Sequence, residues 1–257
     1  MKASNMVFAQ VIEYALRCTL VIGAVAAMVV SAFRPSLRKR SELFAGVLVM
    51  CFAMSLGSAL FVSSRSIKPA LKLDLYIYQF DQLFGQPSFL LGQFLAKHPA
   101  LHSVTEISYF SIGWVVVVVL SVQLLRPTAE LKAATLAFFL AFFLAPFFYV
   151  AFPVSGPHYA FGQYPSLPGT VAPQGIQLAA PPNGIPSVHF TLALLVVWYT
   201  RHWRIGWLFS GAFLILTILA TLGLGEHYVF DLLVALPYTA LILYLAPPRN
   251  PPAAIQS

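Results

Sequence analysis

Apolar runs about twenty residues long recur along nearly the whole chain, among them WVVVVVLSVQLL, LAFFLAFFLAPFFYVAF and FLILTILATLGL. No other feature limits the possible folds so strongly. Lipid offers the backbone no hydrogen-bond partner, so a run of this kind crosses the hydrocarbon as a helix that satisfies its own N–H and C=O groups. The 257 residues are 59% hydrophobic and only 9% charged, with a mean hydropathy of +0.81, which excludes a soluble domain and leaves no room for a sizeable one beside the membrane part. The fold expected is all-α. It is a polytopic transmembrane helix bundle with six or seven spans, one integral membrane domain over 1–257, with interfacial helices on its outer face. Helices are expected at 6–33, 43–64, 108–125, 133–154, 186–203, 207–222 and 228–246. A-V-A at 24–26 has the form of a leader cleavage site, but the run continues to Phe33 and Glu13 precedes it, so a retained first helix is expected.

The net charge of +7 does not imply nucleic acid, and none is expected as a partner. Nine of the fifteen Lys/Arg fall in the short segments 34–42, 126–132, 201–206 and the Pro-rich tail 247–257; the other six are spread over much longer stretches. By the positive-inside rule those four segments are cytoplasmic, and 65–107, 155–185 and 223–227 face the extracytoplasmic side. Cys18 and Cys51 lie inside apolar runs and form neither a disulfide framework nor a metal pattern.

The two long outer segments differ. KLDLYIYQFDQLFGQPSFLLGQFL, within 65–107, mixes aromatics, leucines and charges, as do amphipathic helices lying in the headgroup region. Segment 155–185 is rich in Gly and Pro and is expected to be irregular, with stiffness from its prolines. His98 and His102 in KHPALH are four apart. Pro99 lies between them, no glutamate follows His98 and no third ligand is evident, so no metal is expected there.

Two short stretches carry chemistry: IPSVHF, with Ser187 and His189, and GEHYVFDLL, with His227 and Asp231. From His189 the chain descends one helix, turns at RHWRIG and climbs the next, so both histidines are expected at the outer rim. His227 and Asp231 are four apart and share a helical face. A carboxylate beside an imidazole fixes the tautomer, leaves the other nitrogen as a lone pair and stabilises positive charge on the ring, as a histidine nucleophile requires. A second histidine within reach can protonate a leaving alkoxide. The N–H groups opening the helix at 186–189, with the Ser187 hydroxyl, suit phosphate oxygens.

PSVH followed by HYVFD resembles the second and third motifs of the type 2 phosphatidic acid phosphatase superfamily, over about 150–240. The resemblance implies a phospho-enzyme on His227, with Asp231 orienting it and His189 as the acid, and no cofactor or metal. The superfamily's first motif, Lys-x6-Arg-Pro, is absent: Arg34-Pro35 and Arg126-Pro127 lack the lysine. Where the third motif usually has Ser-Arg, this chain reads Ala220-Thr221. TLGLGEHYVFDLL and FPVSGPHYAFG instead resemble the branch containing inositol phosphorylceramide synthases, which move a phosphate-bearing headgroup between lipids. In place of the missing cations, His158 and Tyr159 are candidates to bind the phosphate, as are Arg65, Lys68 and Lys72 if 65–107 folds over the site. Glu226 reads as a helix-start acid that the dipole favours.

The function expected is lipid phosphotransfer, with a membrane lipid as donor and a lipid or polyol alcohol as acceptor. Lipid phosphate hydrolysis is the alternative. A non-catalytic scaffold or transporter is the remaining class, disfavoured because the spans carry few polar groups.

Overall fold

The computed structural model describes residues 38–125 and 130–247. The expected helix 6–33 and most of the tail 247–257 lie outside the described residues. α1 runs Arg38–Ser66, β1 Ala70–Lys72, α2 Asp74–Gln82, α3 Pro87–Lys97, α4 Pro99–Leu125 and α5 Glu130–Ala151. After them come the single turn α6 Pro157–Ala160, β2 Ile176–Leu178, α7 Val188–Thr200, α8 Arg204–Gly223 and α9 Val229–Leu245. Among the described residues three helices are long and apolar enough to cross a membrane: Pro99–Gln123, Glu130–Ala151 and Arg204–Gly223. Val188–Thr200 and Val229–Leu245 are apolar but shorter.

α5 packs against α1, α4, α7 and α9. Ala133, Ala137, Ala141 and Ala145 recur every fourth residue and are 5% exposed or less, which makes one smooth stripe. Leu192, Ala193 and Val196 of α7 and Tyr238 and Ile242 of α9 share that core. Small side chains leave the α5 backbone approachable, and the Tyr238 hydroxyl donates to the Ala141 carbonyl at 2.7 Å. Pro146, inside α5, has no N–H for the carbonyl of Phe142 four residues back. Ser58 Oγ of α1 donates to that carbonyl at 3.5 Å, which is how bundles re-satisfy the group a proline frees.

Two features depart from the sequence expectation. The fold is mostly helical but not purely so: β1 and β2 pair antiparallel, with Leu71 opposite Gln177, and join segments 65–107 and 155–185. The helix expected at 108–125 begins at Pro99, because proline fits the first helical turn, where no intrahelical N–H bond is needed. His98 and His102 therefore straddle a helix start. His98 Nδ1 lies 2.8 Å from the Phe94 carbonyl, and His102 faces Glu106 at 3.6 Å.

Candidate active site

The chain between α8 and α9 is short, and its backbone is held at several points. His227 N–H donates to Thr221 O at 3.0 Å, and Ser88 Oγ of α3 donates to His227 O at 3.0 Å. Gly225 has φ +76, and a Cβ there would strike the Tyr164 ring. The Tyr164 hydroxyl lies 2.9–3.1 Å from the carbonyls of Ser88, Leu222 and Gly223, plugging the gap between α3 and the end of α8. Gly156 packs so closely on the Glu226 carbonyl that no side chain fits, and His158 N–H donates to Gly225 O at 2.9 Å.

This framework aims the His227 ring. Its Nδ1 lies 3.2 Å from Asp231 Oδ2, the same oxygen that accepts the Tyr228 N–H at 2.9 Å. A carboxylate can only accept, so Nδ1 carries the proton and Nε2 the lone pair. Nε2 has no hydrogen-bond partner among the described residues. Both side chains are buried, His227 at 2% and Asp231 at 0% exposure.

The second histidine arrives from α7. Ser187 caps that helix, its Oγ accepting the Phe190 N–H at 3.4 Å, and its own N–H reaches the Asp231 carbonyl at 3.4 Å. The starts of α7 and α9 are thus tied directly together, which brings His189 and the His227–Asp231 pair to one end of the bundle, close enough for the two rings to interact electrostatically. His189 stacks on Tyr109 of α4, centroids 3.9 Å apart and planes 13° from parallel. Ser187 is fully buried, and its oxygen serves as the cap. His158 is exposed, edge-on to the rings of Tyr159 and Tyr164.

Glu226 is not a solvated helix-start acid. It is half-buried, accepts from the Tyr159 hydroxyl at 3.3 Å and lies near the His227 and His158 rings. Burial raises its carboxyl above the usual range, against the opposing influence of those rings and of the Tyr159 hydrogen bond.

Two carboxylates that the sequence reading passed over hold this site from outside. Asp81 of α2 accepts the first N–H groups of α9, Val229 at 2.8 Å and Phe230 at 3.2 Å. These are the orphan donors of a helix start, and a carboxylate there is favoured by the dipole. Asp74 accepts Ser155 N–H at 3.1 Å, Gly156 N–H at 2.8 Å and the Tyr228 hydroxyl at 3.3 Å. Both are fully buried. Burial lifts Asp81 to about 7 and Asp74 to about 6, with the charge of Asp231 adding to the rise and the N–H bonds opposing it.

The pH dependence follows. Folded values above the unfolded carboxylate value mean that the native state holds protons the unfolded chain releases. That stability is fully present below about pH 4 and is lost as pH rises through about 6 to 7. The thermal midpoint in detergent should therefore fall between pH 5 and pH 8. Asp81→Asn, which keeps an acceptor oxygen, should flatten much of that fall. An equally steep fall in the variant would place the titrating group elsewhere.

Taken together, this is a helical membrane protein with a buried imidazole–carboxylate pair and a second imidazole at one end of its bundle. A family model described as the PAP2 superfamily matches residues 76–245, well over half of the chain, and the chain belongs to that superfamily. Its members are generally phosphatases or phosphotransferases acting on phosphate-bearing substrates. No curated protein and no solved structure matches the chain.

Proposed function

We propose that the chain is a membrane lipid phosphotransferase working through a phospho-histidine, in a branch like that of the inositol phosphorylceramide synthases. The observation that carries this reading is the His227 ring, with Nδ1 committed to Asp231 and Nε2 unpartnered. Nε2 attacks the donor phosphorus, forming a P–N bond as the P–O bond to the leaving group breaks. Asp231 steadies the imidazolium, and His189 delivers a proton to the leaving oxygen. An alcohol then attacks the phosphorus, the P–N bond breaks, and His189 takes the alcohol's proton. Ser187, His158 and Tyr159 supply donors to the phosphate oxygens. No metal takes part.

Transfer is favoured over hydrolysis by charge. Ala220 and Thr221 stand where cations would grip a phosphate monoester. A phosphodiester donor carries less charge and needs less compensation. With water in place of the alcohol, the same steps make a lipid phosphate phosphatase. The domain is read as a catalytic core over about 133–246, an outer segment over 65–107 with interfacial helices, and a cytoplasmic tail over 247–257. It has six or seven spans, and its site faces the extracytoplasmic side. The exposed His158, whose N–H holds the Gly225 carbonyl two residues before His227, supports entry from the aqueous rim rather than from the bundle interior.

The test is a lipid-product assay by mass spectrometry, on sealed right-side-out vesicles with a membrane-impermeant short-chain phosphodiester lipid. Turnover should proceed without lysis, survive EDTA and yield a new phosphodiester when an alcohol is added. Free phosphate as the sole product would make the protein a phosphatase. Loss in EDTA would remove the metal-free mechanism, and turnover only after lysis would reverse the orientation.

A further inference from the structure

A cavity of about 150 Å³ opens where the end of α1 meets β1, and neither histidine, nor Asp231, lines it. Its walls are the end of α1, strand β1, the last turn of α5 and the prolines at 153 and 182. Two cations line it, Arg65 and Lys72, and no acid among the described residues does. Arg65 is exposed, its guanidinium 5.5 Å above the Phe61 ring. Lys72 is only 1% exposed, yet its ammonium makes no hydrogen bond or ion pair with any described residue. A buried, uncompensated ammonium is costly, and such groups are normally paired. The nearest acid is Asp74, whose carboxylate already serves Ser155, Gly156 and Tyr228. Burial and the charge of Arg65 accordingly hold the Lys72 ammonium below its usual range, with Asp74 only partly opposing them.

We propose that this cavity is an anion subsite that takes a phosphate group, distinct from the phosphorus that His227 attacks. Arg65 offers a planar fork and Lys72 a point charge, a combination suited to phosphate oxygens. The Tyr149 side chain lines the opposite wall. At roughly 30 Å³ per water the volume equals about five waters, room for a phosphate or small headgroup and not for an acyl chain. β1 carries Lys72 into the cavity two residues before Asp74, which in turn bonds Tyr228 beside His227. The subsite and the catalytic pair are therefore neighbours through one carboxylate. The assignment of its occupant to the substrate rests on the phosphotransfer reading: that substrate carries a second anionic group besides the phosphate that reacts.

The test reads binding rather than turnover. His227→Ala protein is placed in phosphatidylcholine nanodiscs, and its thermal midpoint is measured in two arms. One arm adds inorganic phosphate against chloride at matched ionic strength, since screening alone moves charged proteins. The other replaces part of the phosphatidylcholine with phosphatidic acid. A rise in midpoint is expected in at least one arm by mass action: with phosphate if the anion suffices, with phosphatidic acid alone if the lipid must bring it. Adding Lys72→Gln or Arg65→Gln should weaken apparent affinity about tenfold or more, and Lys72→Arg should retain it. Arg65→Gln is a surface change and guards against misfolding at the buried lysine. No rise in either arm, or a rise unchanged by both Gln variants, overturns the proposal. A rise seen with the wild-type protein and absent from His227→Ala places the anion at the histidines and also overturns it, leaving the catalytic reading intact. Full turnover by His227→Ala would instead sink the catalytic reading and leave the subsite standing.

Discussion

His227→Ala should lower kcat by about 10⁴-fold or more, because in the proposed mechanism it deletes the atom that forms the covalent bond, and a site acting as a unit loses most of its power with any essential member. The fold should survive. The backbone at this position is held by Thr221 and by Ser88, and neither contact involves the imidazole. The loss is therefore one of chemistry, which a preserved thermal midpoint and circular dichroism spectrum would establish alongside the product assay. Turnover at the wild-type rate in a correctly folded variant would falsify nucleophilic catalysis by this residue.

The second large effect belongs to Asp231→Asn, with kcat falling by about 10²–10⁴. In the native chain one carboxylate oxygen receives both the imidazole proton and the Tyr228 N–H. An amide keeps one oxygen, which can accept both N–H groups where Oδ2 stood, but it carries no negative charge to stabilise the imidazolium that forms. Its NH₂ group then sits where Oδ1 is buried with no partner. The flipped amide instead turns a donor toward Nδ1 and the Tyr228 N–H, moving the ring proton to Nε2 and blocking attack. Helix α9 should still begin where it does, because Asp81 holds the Val229 and Phe230 N–H groups independently. Combining Asp231→Asn with His227→Ala should cost no more than His227→Ala alone, since the carboxylate acts through the ring. Additive losses would mean that Asp231 has a separate catalytic task.

The spans at 130–151 and 204–223 were legible because an apolar run of membrane-crossing length has few other uses. The pairing of His189 with His227 was legible as well, since one helical round trip returns the chain to the same rim. The structure adds the tie that sequence could not show, the Ser187 N–H on the Asp231 carbonyl. What escaped the reading was long-range polar satisfaction. Asp74 and Asp81 looked like the polar breaks of a headgroup-level segment, yet one accepts from residues 81 and 82 positions away and the other from residues 148 and 149 away. No periodicity encodes such a contact, because the partners are backbone N–H groups that every sequence possesses. Tyr109 was missed for a related reason: an aromatic in an apolar span reads as packing until the ring of His189 is found against it. The two three-residue strands are too short to leave an alternation pattern.

The clasp of Asp81 on the start of α9 bears on how such proteins can be recombined. Segment 65–107 cannot be treated as a detachable cover, because it supplies the acceptors for the first turn of the helix that carries Asp231. A chimera that imports 65–107 from a relative with a different helix start would strand those donors in a buried place. The two stretches, about 74–88 and 221–231, form one heritable module, to be exchanged together or not at all.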